Sequence, residues 1–400
     1  MRWRFWQEPG KKKLPWKTYR IPDRRRARLS GFAWLKMGIQ QMTGKPAAIK
    51  MIGGGRAQDP AVAEAALASG QCDFIFIGKG VLVQPDLVNL IEQDREEEIR
   101  PCLGCGVCID VQLQDGACAR CSGNAVLGNG DNDYTIPPAQ KPKKVIVVGG
   151  GVAGVEAARI AAVRGHQVSL YEKADKIGGQ IFYAAAPPHK ENMAPLIPYL
   201  EHQLEVKHVD VHLNEEITPE KILELKPDAV VCATGVVPST LPIPGFSRTI
   251  NAKEVLDGKE TGEQIVIIGG GSVGCETAEY LAEKGKKVTV IEMLDTMAEK
   301  MVNVARTILM GHLKGLGVTL LTSCKCLEIT DSSVACQDKE GTVHTIPADT
   351  VVAAVGDKAD NALYRALEGK VPELYNIGDS AKPDSIAASV SQGYYCGLGL

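Results

Sequence analysis

Five closely spaced cysteines are the side chains best suited to chemistry in this sequence. Cys102, Cys105 and Cys108 stand two residues apart in PCLGCGVC, and Cys118 and Cys121 follow in ACARC. The C-x2-C-x2-C spacing is typical of bacterial iron–sulfur proteins, and a [4Fe–4S] cluster requires four thiolates. The fourth cysteine comes later than in ferredoxins, so either Cys118 or Cys121 must supply the last ligand.

A zinc site is the alternative for the same cysteines. Cys105 and Cys108 could pair with Cys118 and Cys121, although the nine residues between the pairs are few for a zinc ribbon. Unligated thiols are a third interpretation. The chain has 12 cysteines and no secretory signal, which indicates reduced thiols and metal binding rather than disulfides. We therefore expect a cytoplasmic protein.

Two glycine-rich motifs follow the cysteines. VIVVGGGVAGVEAA begins its glycines at Gly149 and IVIIGGGSVGCETA at Gly269, 120 residues later, and an acid follows each motif 23 residues on, at Glu172 and Glu292. Each motif comes after a β-branched strand and before a helix. A tandem repeat of this kind predicts two βαβ dinucleotide-binding domains. Glycine turns that bind no ligand are the alternative.

Each glycine in the motif has a separate predicted role. Gly149 makes the tight strand-to-helix turn, Gly151 lets the backbone approach a pyrophosphate, and Gly154 lets helix and strand pack closely. Glu172 and Glu292 end the next strand of each unit, where a carboxylate accepts a hydrogen bond from a ribose hydroxyl. The counterparts in the second motif are Gly269, Gly271 and Gly274.

The layout resembles the flavoproteins with two dinucleotide-binding domains. KIGGQ after the first acid, ATG at Ala233–Gly235 and GD at Gly378–Asp379 carry the resemblance. It implies that the first unit binds FAD, that the inserted second unit binds NAD(P)H, and that the flavin ring lies between them near ATG. Asp379 would bond the ribityl or pyrophosphate region. The predicted FAD set is Gly149, Gly151, Val152, Ala153, Gly154, Glu172, Lys173, Gly179, Gln180, Ala233, Thr234, Gly235, Gly378 and Asp379, and the NADH set is Gly269, Gly271, Ser272, Val273, Gly274 and Glu292.

The second acid also bears on the choice of nicotinamide cofactor. A carboxylate at Glu292 would repel a 2′-phosphate, and the neighbouring Met293 offers no arginine to receive one. We therefore expect NADH rather than NADPH. No cysteine pair accompanies the flavin signature, which argues against a disulfide reductase.

A second resemblance covers the segment before the cysteines. IGGGRAQDPAVAEAALASGQCDFIFIGKG through RPCLGC is similar to the last two βα units of the old yellow enzyme-like TIM barrel, of the 2,4-dienoyl-CoA reductase and trimethylamine dehydrogenase type. That family implies an FMN barrel, a [4Fe–4S] cluster, and an FAD/NAD(P)H half. The implied cluster ligands are Cys102, Cys105, Cys108 and Cys121, with Cys118 as a spare.

The resemblance gives the function that we expect. NADH passes two electrons to FAD, the cluster carries them one at a time, and a second flavin or an enoate-type acceptor receives them. Only two βα units precede the cysteines, so we expect this chain not to complete an ene reduction by itself. The FMN phosphate would meet Gly55, Arg56, Gly78 and Lys79, although a glycine turn with a solvated lysine explains the last two equally well.

Composition and organisation support an α/β oxidoreductase. The sequence is 44% hydrophobic and 23% charged, carries a net charge of −3, and indicates neither nucleic-acid nor membrane binding. The seven histidines are scattered. Alternatives to the enzyme are an electron-transfer subunit for a separate catalytic partner and a non-catalytic nucleotide-binding fragment. A small-molecule substrate or an electron-accepting protein is the expected partner, and the sequence leaves open whether the chain forms a homo-oligomer.

The predicted segments are a basic leader (1–45), a barrel remnant (46–100), an iron–sulfur segment and linker (101–140), an FAD domain (141–255 and 350–400) and an NAD(H) domain (256–349).

Overall fold

The computed structural model describes residues 38–44, 50–54, 58–115, 118–128 and 134–400. The chain divides into two compact units, residues 1–99 and 100–400. Most of the predicted basic leader, together with Gly55 and Arg56, lies outside the described residues. None of the helices that the structure describes is long and apolar enough to cross a lipid bilayer.

The first unit contains a parallel βαβ arrangement. Its two short strands pair in parallel, and the helix between them begins at Pro60, where the side chain of Asp59 caps the free N–H of Ala61. Ala66 and Cys72 form its small buried cluster. The elements are β1 (Ile52–Gly54), α1 (Pro60–Ala68), β2 (Phe74–Phe76), α2 (Lys79–Val83) and α3 (Leu87–Glu92).

The second unit opens with the cysteine segment and then the first glycine motif. Four of the five residues in its first strand are buried, as is every residue of Ala229–Cys232, which is typical of parallel strands covered on both faces. These elements are α4 (Val107–Asp115), β3 (Lys144–Val148), α5 (Val152–Val163), β4 (Gln167–Glu172), α6 (Ile181–Ala185), α7 (Leu196–Val206), β5 (Asp210–Leu213), α8 (Pro219–Leu225), β6 (Ala229–Cys232) and β7 (Val236–Pro238).

The rest of the second unit contains the second glycine motif and the return of the chain. Its elements are β8 (Ile250–Asn251), α9 (Ala252–Leu256), β9 (Gln264–Ile268), α10 (Ser272–Glu283), β10 (Lys287–Ile291), α11 (Asn303–Gly315), β11 (Thr319–Leu321), β12 (Lys325–Ile329), β13 (Ser333–Gln337), β14 (Val343–Pro347), β15 (Thr350–Ala353), β16 (Asp357–Ala359), α12 (Ala362–Leu367), β17 (Glu373–Asn376) and α13 (Ile386–Gly399).

Two parallel five-stranded sheets organise these elements. The first has the order β17-β6-β3-β4-β5 and the second β11-β10-β9-β15-β8. We call them the first and second Rossmann units. The chain leaves the first sheet after β6 and returns at β17, so the second unit is inserted into the first. The connecting strands β7 and β16 pair antiparallel. This is the α/β fold that the sequence predicts.

The limits of the inserted unit differ from the predicted 256–349. β15 pairs with β9 from Thr350 to Ala353, and β8 pairs with β15 at Ile250 and Asn251, so the second sheet spans 250–353. The two-residue β8 has no periodic pattern that would reveal it in the sequence. The antiparallel strands β12, β13 and β14 share a hydrophobic cluster with Val266 and Ile268 of β9.

Candidate functional site

The first glycine motif forms a tight turn between β3 and α5. Gly149 has φ +114°, and a Cβ there would lie 2.2 Å from the carbonyl oxygen of Ala233. A Cβ on Gly154 would lie 2.0 Å from the carbonyl oxygen of Gly149, so helix and strand can approach this closely only with glycine at that position. Gly151, in contrast, faces open space, with no atom within 4 Å of an added Cβ. The open backbone at the helix N-terminus suits a phosphate group.

The second motif repeats this geometry between β9 and α10. Gly269 has φ +104°, and a Cβ there would lie 2.4 Å from the carbonyl oxygen of Ala354. A Cβ on Gly274 would lie 1.9 Å from the carbonyl oxygen of Gly269, and Gly271 again faces open space. The two turns therefore present the same free backbone at the start of a twelve-residue helix.

The two predicted acids also occupy equivalent positions. Oε2 of Glu172 accepts a hydrogen bond from the N–H of Gly150 at 2.6 Å, and Oε2 of Glu292 accepts one from the N–H of Gly270 at 2.6 Å. The second oxygen of each carboxylate accepts from the N–H two residues later, at 2.8 Å. An ionised carboxylate has about four acceptor sites, so each retains capacity for a ribose hydroxyl.

Several segments enclose the first site. A Cβ on Gly179 of the KIGGQ loop would lie 3.1 Å from Cα of Gly151, and one on Gly378 would lie 2.7 Å from Cβ of Ala153. Ala153 is consequently only 7% exposed. Burial raises the pKa of Asp379, whose Oδ1 accepts from the N–H of Asp384 at 3.1 Å. The structure thus brings the KIGGQ and GD segments together at the start of α5.

The ATG segment lies where the chain crosses between the Rossmann units. The N–H of Ala233 donates to the carbonyl oxygen of Val148 at 2.8 Å, which extends the pairing of β6 with β3. The hydroxyl of Thr234 donates to the carbonyl oxygen of Asp360 at 2.5 Å. The N–H of Asp360 in turn donates to the carbonyl oxygen of Gly235 at 3.0 Å. ATG therefore contacts the strand that returns from the second unit.

The remaining predicted nucleotide residues lie around these turns. Lys173 is exposed directly after β4, and Gln180 precedes α6. The second site is more open than the first: Val273, the counterpart of Ala153, is 46% exposed, and Met293 after Glu292 is 70% exposed. Ser272 begins α10 and is partly exposed.

Cys102 and Cys105 both act electrostatically on the thiol of Cys121. Burial, with smaller contributions from Cys105 and Cys102, raises the pKa of the Cys121 thiol to about 11. The Sγ of Cys121 accepts from the N–H of Gly123 at 3.4 Å, and Sγ of Cys105 lies 3.3 Å from the hydroxyl of Ser122. Hydrogen bonds to sulfur of this kind tune iron–sulfur clusters.

The other two cysteines differ from each other. Cys108 lies in the first turn of α4 and is partly exposed, whereas Cys118 is exposed. Cys102, Cys105 and Cys121 are partly exposed, as Cys108 is. Four partly exposed thiols, Cys102, Cys105, Cys108 and Cys121, are the number that a [4Fe–4S] cluster requires, and they would be its protein ligands if the cluster binds here.

A buried ionic network beside this segment was missed in the sequence. Nη2 of Arg100 donates to both oxygens of Glu156 at 3.0 Å, and its other nitrogens donate to the hydroxyl of Tyr199 at 3.1 Å and to the carbonyl oxygen of Gly123. Arg159 donates to the same carboxylate at 2.8 and 3.0 Å. Burial by itself would raise the pKa of Glu156, but the two arginines outweigh it and hold the pKa at about 2. Arg100 thus links both ends of the cysteine segment to α5.

The residues predicted to meet an FMN phosphate are only partly described. Gly78 precedes α2, and Lys79 is the first residue of that five-residue helix. Gly55 and Arg56, the other half of the set, lie outside the described residues. The FMN site therefore stays a prediction.

Comparison with known proteins agrees with this geometry. Residues 143–393 match the family profile of the pyridine nucleotide-disulphide oxidoreductases. The chain is 36% identical over 400 residues to a metal reductase of Desulforamulus reducens, with 91% of this chain and 59% of the relative covered. It is 39% identical over 355 residues to an NADH oxidase of Thermoanaerobacter brockii, covering 86% and 54%.

A solved structure of 2-naphthoyl-CoA reductase in complex with 2-naphthoyl-CoA shows the same likeness. It superimposes with a TM-score of 0.86 at 34% identity and covers 92% of this chain and 56% of that chain. The chain thus spans little more than half the length of each of these three proteins. It belongs to the pyridine nucleotide-disulphide oxidoreductase family, and it corresponds to the carboxyl-terminal half of the flavoproteins of the 2,4-dienoyl-CoA reductase type.

Proposed function

We propose that this chain is the NADH-oxidising part of a flavin- and iron–sulfur-dependent oxidoreductase. FAD binds the first Rossmann unit, NADH binds the second, and a [4Fe–4S] cluster is held by Cys102, Cys105, Cys108 and Cys121. When bound, FAD supplies an acceptor for the hydride of NADH, and the cluster supplies a one-electron relay to FMN or an enoate-type acceptor.

The observation that carries the proposal is that the two glycine turns have the same geometry, whereas only the first is covered by neighbouring segments. Both turns leave the backbone at Gly151 and Gly271 open to a phosphate. The first is covered by the Gly179 and Gly378 segments, which suits a cofactor that stays bound. The second leaves Val273 and its surroundings accessible, which suits a substrate that must enter and leave in every turnover.

The residues of the chain have distinct proposed roles. Glu172 and Glu292 hold the ribose of each nucleotide, and the negative charge of Glu292 disfavours the 2′-phosphate of NADPH. ATG, fixed against Asp360, positions the flavin ring between the units. Arg100 is a positioning residue, because it ties the cysteine segment to the helix whose N-terminus faces the FAD phosphates.

The alternatives receive less support. Relatives are named as oxidases, reductases and dehydrogenases, which does not favour a non-catalytic fragment or a pure electron-transfer subunit. No cysteine lies between Cys121 and Cys232, so the flavin segment lacks the thiol pair that disulfide reduction requires. A small-molecule substrate or an electron-accepting protein that takes the electrons is part of the proposal.

Anaerobic purification followed by metal analysis and absorption spectroscopy tests the proposal. We expect iron, acid-labile sulfide and FAD, and NADH should bleach the flavin bands. Cys121→Ser should abolish the iron while FAD stays bound, and the matched Cys118→Ser should leave the iron content unchanged. Zinc in place of iron would contradict the cluster, and a flavin that stays yellow with NADH would contradict the electron path.

A further inference from the structure

Three side chains far apart in the sequence meet between the two Rossmann units. His189 lies in the loop after α6 of the first unit, whereas Glu279 lies on α10 and His312 on α11 of the second. One donor atom from each lies within 4.8 Å of the other two. Nδ1 of His312 is 2.7 Å from Oε1 of Glu279, and the two imidazole rings meet edge to face at 5.1 Å.

One of the three residues is buried and the other two are accessible to solvent, so an ion could reach the site. Glu279 is 4% exposed and lies at the bottom, whereas both imidazoles are partly open to solvent. Glu283, one turn further along α10, places Oε1 3.4 Å from Nε2 of His189. Two imidazoles and a carboxylate are the three protein ligands that Zn²⁺ and related dications take in tetrahedral sites that keep one further position for water or another ligand.

The internal repeat shows that the charge at this position differs between the two units. In the first unit Arg159 stands one turn after Glu156 and neutralises it. In the second unit the equivalent positions are Glu276 and Glu279, so the helix carries two buried acids where the first carries an ion pair. Lys190 pairs with Glu276. A dication beside Glu279 would supply the charge that the arginine supplies in the first unit.

We propose that His189, Glu279 and His312 form a site for a borderline transition-metal dication of the Zn²⁺ class, with Glu283 or water as the fourth ligand. Because His189 comes from the first Rossmann unit and the other ligands from the second, a bound ion clamps the two units together. The site is separate from the cysteine segment and from both glycine turns, and it does not depend on the nucleotide assignments.

Calorimetric titration of the intact, cluster-loaded protein with Zn²⁺ tests the site. We expect one high-affinity ion per chain in addition to any metal at the cysteines. Loss of a residue that merely orients a ligand costs about 10–100-fold in affinity, so His312→Ala and His189→Ala should each weaken binding at least that much. His202→Ala, which removes another partly exposed histidine, should leave it unchanged. Equal zinc uptake by the wild type and His312→Ala overturns the site.

Two further measurements test which side chains bind the ion and whether it bridges the two Rossmann units. With Co²⁺ as the probe, the difference spectrum between the wild type and His312→Ala should show ligand-field bands without thiolate-to-cobalt charge transfer. Charge-transfer bands in that difference would place the metal at cysteines and overturn the proposal. If His189→Ala binds Zn²⁺ as tightly as the wild type, the ion does not bridge the units and the clamp is wrong.

Discussion

Glu156 and Glu276 occupy the same position of the repeat, 120 residues apart, and both are buried. In the first Rossmann unit two arginines hold the pKa of Glu156 at about 2. In the second, burial raises the pKa of Glu276, and Lys190 only partly opposes that rise. One helix position therefore carries a stabilising anion in one unit and a costly one in the other.

The same contrast extends to the nucleotide sites. The helix α5 is backed by α13, where a Cβ on Gly393 would lie 2.4 Å from the carbonyl oxygen of Ala153, and its first turn is covered by the Gly378 segment. The equivalent turn of α10 leaves Val273 46% exposed. Under the proposed function, the first unit would retain its nucleotide and the second would exchange it. Because the two turns have the same geometry, we expect the surrounding segments to set how long each nucleotide stays bound.

The retention of the two nucleotides should show the largest difference. We expect FAD to remain with the protein through gel filtration, and NAD⁺ to leave completely. The enclosing segments should make the FAD dissociation constant about 1000-fold lower, or about 4 kcal/mol. Fluorescence titration of the flavin-depleted protein with FAD, and of the holoprotein with NADH, measures both constants. Comparable constants would remove the distinction between the two sites.

Matched glutamine substitutions test the two buried glutamates. Glu156→Gln should destabilise the protein by about 3 kcal/mol, since the pKa falls from 4.5 to about 2 on folding. Glu276→Gln should be neutral or stabilising at neutral pH, because a raised carboxyl pKa penalises the ionised form. Urea unfolding of the two variants at neutral pH measures the difference, and equal effects would contradict it.

The free energy of unfolding of the same two variants should depend on pH in opposite ways. The contribution of Glu156 is complete above 4.5 and is lost as the pH falls towards 2, so Glu156→Gln should flatten the acid limb of stability. The raised pKa of Glu276 has the opposite sign, because its penalty grows as the pH rises above the unfolded value. Glu276→Gln should therefore gain most at neutral pH, and a gain confined to acid would contradict this.

The sequence predicted the turns and, through the family resemblance, the KIGGQ, ATG and GD segments near the first turn, but it did not predict the buried ionic network beside them. Gly149, Gly154 and their counterparts are recognisable because the backbone demands glycine at fixed spacing, and the acids follow at a fixed distance. Arg100 and Glu156 are 56 residues apart, and no local pattern joins them. The offset of 120 could have shown that Arg159 becomes Glu279 in the second unit, but burial and partners come only from the tertiary structure.

Glu172 at the end of β4 and Glu292 directly after β10 should act on different nucleotides. Glu292→Ala should raise KM for NADH by about 10–100-fold, since a hydrogen bond to a charged group is worth about 1.5–3 kcal/mol. Its flavin content should be unchanged. Glu172→Ala should release FAD on gel filtration and leave NADH affinity intact. Steady-state NADH oxidation and flavin content measure these effects.

A control residue distinguishes this loss from a general effect of removing charge. Glu260 is exposed in the second Rossmann unit, and Glu260→Ala should change neither KM nor flavin content. An unchanged KM in Glu292→Ala would remove its ribose role, whereas flavin loss in that variant would indicate that the second unit helps to hold FAD.

Two helical glycines give the smallest expected effect, with opposite signs in the two units. An added Cβ on Gly393 would lie 2.4 Å from backbone of α5, so Gly393→Ala must push α13 away at a cost of about 1–3 kcal/mol. Gly311 of α11 is exposed with no atom within 4 Å of an added Cβ, so Gly311→Ala should stabilise its helix by up to about 1 kcal/mol. Thermal unfolding measures both variants. Because α13 packs directly on the turn at Ala153, only Gly393→Ala should also weaken FAD binding. If the Gly393→Ala protein keeps its flavin as firmly as the wild type, α13 does not enclose the first site.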